Sequence, residues 1–184
     1  MKLIALILYA SAALPAPACA AGVLWSGQGD GTSWSDAANW TPVGVPGPSD
    51  DVSVSSSGVI LSGTVATLEV NSLTLGDGSA APRLALSTGA VVAGTLTIKA
   101  SAVLRFDAEA AVSGGTVTVE SGGAITHTGP VQSSTVSARF DVAVFDLRGG
   151  AQVDLAGKGY AGGAALAVGA GPGGGGAGGG PGGV

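Results

Sequence analysis

Asn71-Ser72-Leu73-Thr74-Leu75, Gly94-Thr95-Leu96-Thr97-Ile98, Gly115-Thr116-Val117-Thr118-Val119 and Ser134-Thr135-Val136-Ser137-Ala138 are four versions of one phrase. Their central residues, Leu73, Leu96, Val117 and Val136, lie 23, 21 and 19 positions apart. A repeat of about 20 residues, built from short strands and small turn residues, is the mark of a β-solenoid. A second phrase keeps step with the first: Leu84-Ala85-Leu86, Leu104-Arg105-Phe106 and Ile125-Thr126-His127. A third, weaker one follows at Val91-Val92, Ala111-Val112 and Pro130-Val131.

Three short strands per repeat predict a three-sided coil of about 21 residues. Side chains alternate faces along a strand. Leu73/Leu75, Leu96/Ile98, Val117/Val119, Leu84/Leu86 and Leu104/Phe106 are therefore expected to point inward. A single coil buries too few aliphatic groups to offset its backbone ordering. Stacking supplies ladder hydrogen bonds and makes the apolar columns continuous.

Outside the central stretch, Val59-Ile60-Leu61 and Val65-Ala66-Thr67-Leu68-Glu69-Val70 lead into the repeats, and Gln152-Val153-Asp154-Leu155 reads as the last strand. Residues 157–184 are glycine-rich, running from Gly171-Pro172-Gly173 into almost pure glycine, and bury too little to order themselves, so a disordered tail is expected. Residues 22–58 hold all three tryptophans, Trp25, Trp34 and Trp40. An open solenoid end needs a cover for its edge and core, which an aromatic cap provides. The alternative is a glycan platform, since tryptophan faces stack on sugars. The expected organisation is a leader over 1–20, a cap segment over 21–58, an all-β parallel solenoid over 59–156 and the glycine-rich tail over 157–184.

Trp25-Ser26-Gly27, Trp34-Ser35-Asp36, Asn39-Trp40, and Val45-Pro46-Gly47 through Asp50-Asp51-Val52 resemble the segment that opens β-helical regions of secreted bacterial surface proteins, of the autotransporter-passenger and adhesin-like type. The entry Gly157-Lys158-Gly159-Tyr160 resembles glycine-rich loops that interrupt such solenoids. The resemblance implies a cell-surface or secreted β-helix scaffold, of which this chain is an N-terminal fragment. Its partners would be surface glycans or other cell-surface proteins, with self-association through the open solenoid end.

The first 20 residues have the form of a secretory signal: Lys2, an apolar run to Leu14, and Ala18-Cys19-Ala20 as a small-x-small cleavage site. Cys19 is the only cysteine, so cleavage leaves no thiol chemistry. No later apolar run is long enough for a membrane helix. A net charge of −5 with 7 Lys and Arg argues against a nucleic-acid partner.

Candidate chemistry is sparse. The aspartates form no calcium-loop pattern. Asp50-Asp51 beside Asp30 or Asp36 are read as turn caps, with a calcium site as the alternative. Glu69, Lys99, Arg105, Asp107, Glu109 and Glu120 are the outward charges. Arg105, Asp107 and Glu120 approaching across coils would suit a pectin-lyase-like enzyme, the runner-up to a non-catalytic protein. His127 falls in the column of Leu86 and Phe106 and is read as closing the core. Thr95 and Thr97 point outward if Leu96 and Ile98 point inward. With Ser72/Thr74, Thr116/Thr118 and Thr135/Ser137 they form two hydroxyl files, which suit an exposed pleated strand and also resemble ice-binding surfaces. No catalytic, cofactor or metal residue is assigned.

Overall fold

The computed structural model describes residues 22–61, 67–87, 90–129, 138–156 and 158. The expected leader, Thr135, Pro130-Val131, most of the fourth phrase and the tail apart from Lys158 lie outside the described residues.

The protein is all-β; among the described residues the one helical turn is a 3-10 turn at Ala37–Asn39. One sheet holds β1 (Gly22–Trp25), β2 (Trp40–Thr41), β3 (Asp51–Val54), β5 (Thr67–Leu75), β7 (Ala90–Ile98), β9 (Ala110–Val119) and β11 (Ala138–Leu147). Its order is β11-β9-β7-β5-β3-β1-β2, parallel except where β2 meets β1. The other sheet holds β4 (Gly58–Leu61), β6 (Pro82–Leu86), β8 (Val103–Phe106), β10 (Ala124–His127) and β12 (Gln152–Asp154), in sequence order and with parallel pairing. From β3 onward the chain thus alternates between sheets, and each return lands one strand further along.

The core lies between these sheets. Val52, Leu73, Leu96 and Val117 share one register row, and Val54, Leu75, Ile98 and Val119 another. Leu84/Leu104/Ile125 and Leu86/Phe106 face them from the second sheet. All these apolar residues are at most 1 % exposed. β3 lies inside the segment expected to be cap, yet it pairs in parallel with β5 and begins the row.

Three separate strands per repeat are not what the structure contains. The third phrase and the next copy of the first fuse into one strand of 9 or 10 residues. Buried positions in β5 run Leu68, Val70, then Leu73, Leu75, so the alternation slips by one residue. The β5–β7 register omits Asn71 and Gly94, and β7–β9 omits Gly94 and Gly115. A slip of one residue would reverse the faces of a flat strand. Here both halves reach the same core, so the strand turns a corner at this point. The corner brings neighbouring backbones close. Gly114 has φ +142, and a Cβ there would lie 1.8 Å from the Ala93 carbonyl oxygen, so only glycine fits.

The turns from long to short strand also stack. Ala102, Gly123 and Ala151 each donate their N–H to a carbonyl three residues back, in Lys99, Glu120 and Arg148. Ser101, Gly122 and Gly150 occupy the same positive-φ position, linked by N–H to carbonyl bonds of 2.9 and 3.0 Å.

The fourth copy of the phrase lies outside the described residues except for Ala138. The strand beside β9 places Phe145 against Val117 and Leu147 against Val119, 28 residues on. Phe145-Asp146-Leu147 carries the same apolar-polar-apolar alternation with larger side chains, and alternation rather than residue identity sets the pairing.

Candidate functional site

The aromatic block is built on the β1–β2 pair, which sets Trp25 opposite Trp40. Trp40 meets Trp25 at 4.8 Å and Trp34 at 4.6 Å between centroids, both edge to face. Its Nε1–H donates to the Trp34 carbonyl at 2.9 Å. Trp34 and Trp40 are 1 % exposed and Trp25 is also buried. Sugar stacking needs an accessible ring face. Trp34 and Trp40 offer none, because each ring is packed against its neighbours.

Beneath the tryptophans, the acidic residues serve the backbone. Asp30 Oδ1 accepts from the N–H groups of Thr32 and Ser33 and from Asn39 Nδ2. Asp36 accepts from the N–H groups of Asp30 and Ala38, and Asn39 Oδ1 from those of Gly29 and Gly31. Asp50 accepts from Gly47 N–H. Asp51 accepts from Ser72 and Asn71 side chains. Among the described residues no group of three or more His, Cys, Asp or Glu is arranged to hold a metal.

Hydrogen bonds from Ser33, then Thr32 and Asn39, hold Asp30 far below the ordinary carboxylate range. Ser72 and Asn71 lower Asp51 in the same sense, and the N–H groups of Ala80 and Ser79 lower Asp77. A lowered folded pKa gives stability that is present above the unfolded value, near pH 4, and lost as pH falls through the folded one. Acid titration followed by tryptophan emission should therefore show progressive loosening below about pH 4. Asp30→Asn should flatten that dependence while leaving a residual slope from Asp51 and Asp77; an unchanged acid profile would contradict the assignment.

The hydroxyl residues form two adjacent rows on the seven-stranded sheet. One runs Ser72, Thr95, Thr116, with Asp51 at one end and Val144 at the other. The second runs Ser53, Thr74, Thr97, Thr118 and ends at Asp146. Val144 and Asp146 stand where the extension of the files was expected, beside Thr116 and Thr118. Thr95 is exposed, Thr74, Thr97 and Thr116 are half-buried, and Thr118 is only 8 % exposed, so the face is not uniformly open.

Arg105, Asp107 and Glu120 are not brought together. Arg105 grips Asp107 through Nε at 2.5 Å and a second nitrogen at 2.6 Å, and Thr128 Oγ1 also donates to Asp107. Burial pushes the Asp107 carboxyl up, but the bonds from Arg105 and Thr128 outweigh it and the net shift is downward. Glu120 pairs instead with Arg148, at 3.5 Å. His127 keeps its expected row beside Phe106, though it is half-buried, and its Nδ1 lies 3.0 Å from the Thr128 carbonyl.

The outer face of the five-stranded sheet carries a feature that no local motif signals. A cleft of about 370 Å³ is lined by Arg83, Val103, Arg105, Thr126, Gln152 and Lys158, among others. Arg83, Val103, Ala124 and Gln152 share one register row, and Arg105, Thr126 and Asp154 the next. Arg105 was expected to face outward, and the same alternation places Arg83 there too. Lys158 enters only because the chain after β12 returns to Gly129, where a Cβ would meet Lys158 Cα at 2.5 Å. No helix among the described residues is long and apolar enough to cross a membrane. Comparison with family models, with curated proteins and with solved structures finds no match to this chain.

Proposed function

We propose that the chain is an exported, non-catalytic scaffold of the adhesin-like kind, acting at a bacterial cell surface or in its matrix. In this reading the alternating sheets are the walls of a parallel β-solenoid, and the tryptophan block covers its first end. The observation that carries it is the unbroken run of apolar rows from Val52 to Val117 and from Val54 to Val119. A stack of this kind presents long regular outer faces and needs no ligand to hold them. Surface glycans, other surface proteins and further copies of the chain are the proposed partners. Copies would meet at β11 and β12, the end strands of their sheets, where Val144, Phe145, Leu147 and Val153 are exposed.

A polysaccharide lyase or hydrolase is the competing reading, and the engagement of Arg105 with Asp107 and of Glu120 with Arg148 weighs against it. The test has two arms. Cell fractionation should place the chain outside the cytoplasm, and incubation with pectin and alginate should release no unsaturated or reducing ends. Turnover that disappears in Asp107→Asn would replace the scaffold by an enzyme.

A further inference from the structure

We propose that the cleft on the outer face of the five-stranded sheet binds a carboxylated sugar unit of the kind found in uronate-containing polysaccharides. The charge distribution points there first. The chain has 7 Lys and Arg and a net charge of −5, yet Arg83, Arg105 and Lys158 all line this one cleft. Arg105 is held and neutralised by Asp107. The side chains of Arg83 and Lys158 make no hydrogen bond or ion pair among the described residues, and Arg83 is exposed. Against them stands the Asp154 carboxylate, which accepts from Ala156 N–H. The surplus is about one positive charge, which suits one carboxylate per bound unit rather than a polyphosphate.

The neutral groups select a hydroxylated ligand. His127 lines the cleft, and its Nδ1, 3.0 Å from the Thr128 carbonyl oxygen, donates to it. Gln152 offers both a donor and an acceptor and is exposed. Thr126 Oγ1 donates to the Asp154 carbonyl at 2.8 Å and keeps its lone pairs. Val103 and Ala124, side by side in the central row, supply a small apolar floor for the C–H face of a pyranose ring. An acidic peptide would instead favour pockets for alternate side chains or a free sheet edge, and this cleft lies on a sheet face. The row from Arg83 to Gln152 crosses four strands, about 14 Å at the usual parallel spacing, so an extended glycan could lie across them.

The proposal stands on the cleft and does not require the scaffold reading. Calorimetric titration of the full chain with trigalacturonate should show binding that weakens with added salt. Arg83→Ala and Lys158→Ala should each weaken it roughly tenfold, with circular dichroism unchanged because neither side chain belongs to the core. Maltotriose, neutral and of equal length, should not bind detectably. Absence of trigalacturonate binding at millimolar concentration would overturn the proposal, as would unchanged affinity in the Arg83→Ala/Lys158→Ala double variant. Equal affinity for triglutamate would replace the sugar by an acidic peptide. Cleavage of the trigalacturonate would count against the scaffold reading and leave the binding site standing.

Discussion

Leu96→Asp is expected to unfold the protein, while Thr97→Asp, one residue along the same strand, leaves it folded. Leu96 is 1 % exposed between Leu73 and Val117. Its removal costs about 2–5 kcal/mol for the lost packing, and the new carboxylate is enclosed by aliphatic groups with no cation to meet it. The total is a large share of a typical domain stability of about 5–15 kcal/mol. Thr97 sits half-buried on the outer row between Thr74 and Thr118, where an aspartate reaches water. Urea titration followed by far-ultraviolet circular dichroism separates the two. Equal loss of β signal in both variants would mean that the assignment of inner and outer faces is wrong.

Trp40→Ala is the second large effect. Trp40 is the middle ring of three, in contact with both Trp25 and Trp34. Truncating a buried tryptophan costs about 3–5 kcal/mol. The Trp34 carbonyl also loses the Nε1–H donor, which adds roughly 1–3 kcal/mol if it stays dry. β1 pairs with both β2 and β3, so loosening Trp25 opens the start of the larger sheet. The expected readout is a red-shifted emission and a lower urea midpoint. Soluble oligosaccharides should leave the emission of the parent protein unchanged; a shift on titration would return the tryptophans to the role of a glycan platform.

The apolar rows are legible in the residues because strict alternation over three positions, as in Leu96-Thr97-Ile98, fixes which side is buried. The corner is not, because Asn71 and Gly94 read as breaks between strands. They are in fact phase slips inside one strand, and a slip and a terminus look the same in a periodic pattern. The last circuit is hidden for a different reason. Ser134-Thr135-Val136 matches the phrase by residue type, whereas Phe145-Asp146-Leu147 matches it by alternation and pairs with β9. The tryptophan contacts follow from composition, but the carboxylate network around Asn39 depends on loop geometry that side-chain type leaves open. The cleft was the least legible part. Arg83 and Lys158 are 75 positions apart, and only the return of the chain to Gly129 makes them neighbours.

Strands joined in chain order have a kinetic consequence. Val52, Leu73, Leu96, Val117 and Phe145 occupy successive places in one row and are separated by 21, 23, 21 and 28 residues. Closing a loop costs entropy only as the logarithm of its length, so the longest of these excursions is dearer than the shortest by about 0.3 kcal/mol. Each strand therefore searches for a partner over the same short stretch of polypeptide, however many precede it. Once one pair has formed, the next can add as a tooth adds to a zip, and lengthening the array would prolong folding in proportion without raising the barrier to any single step.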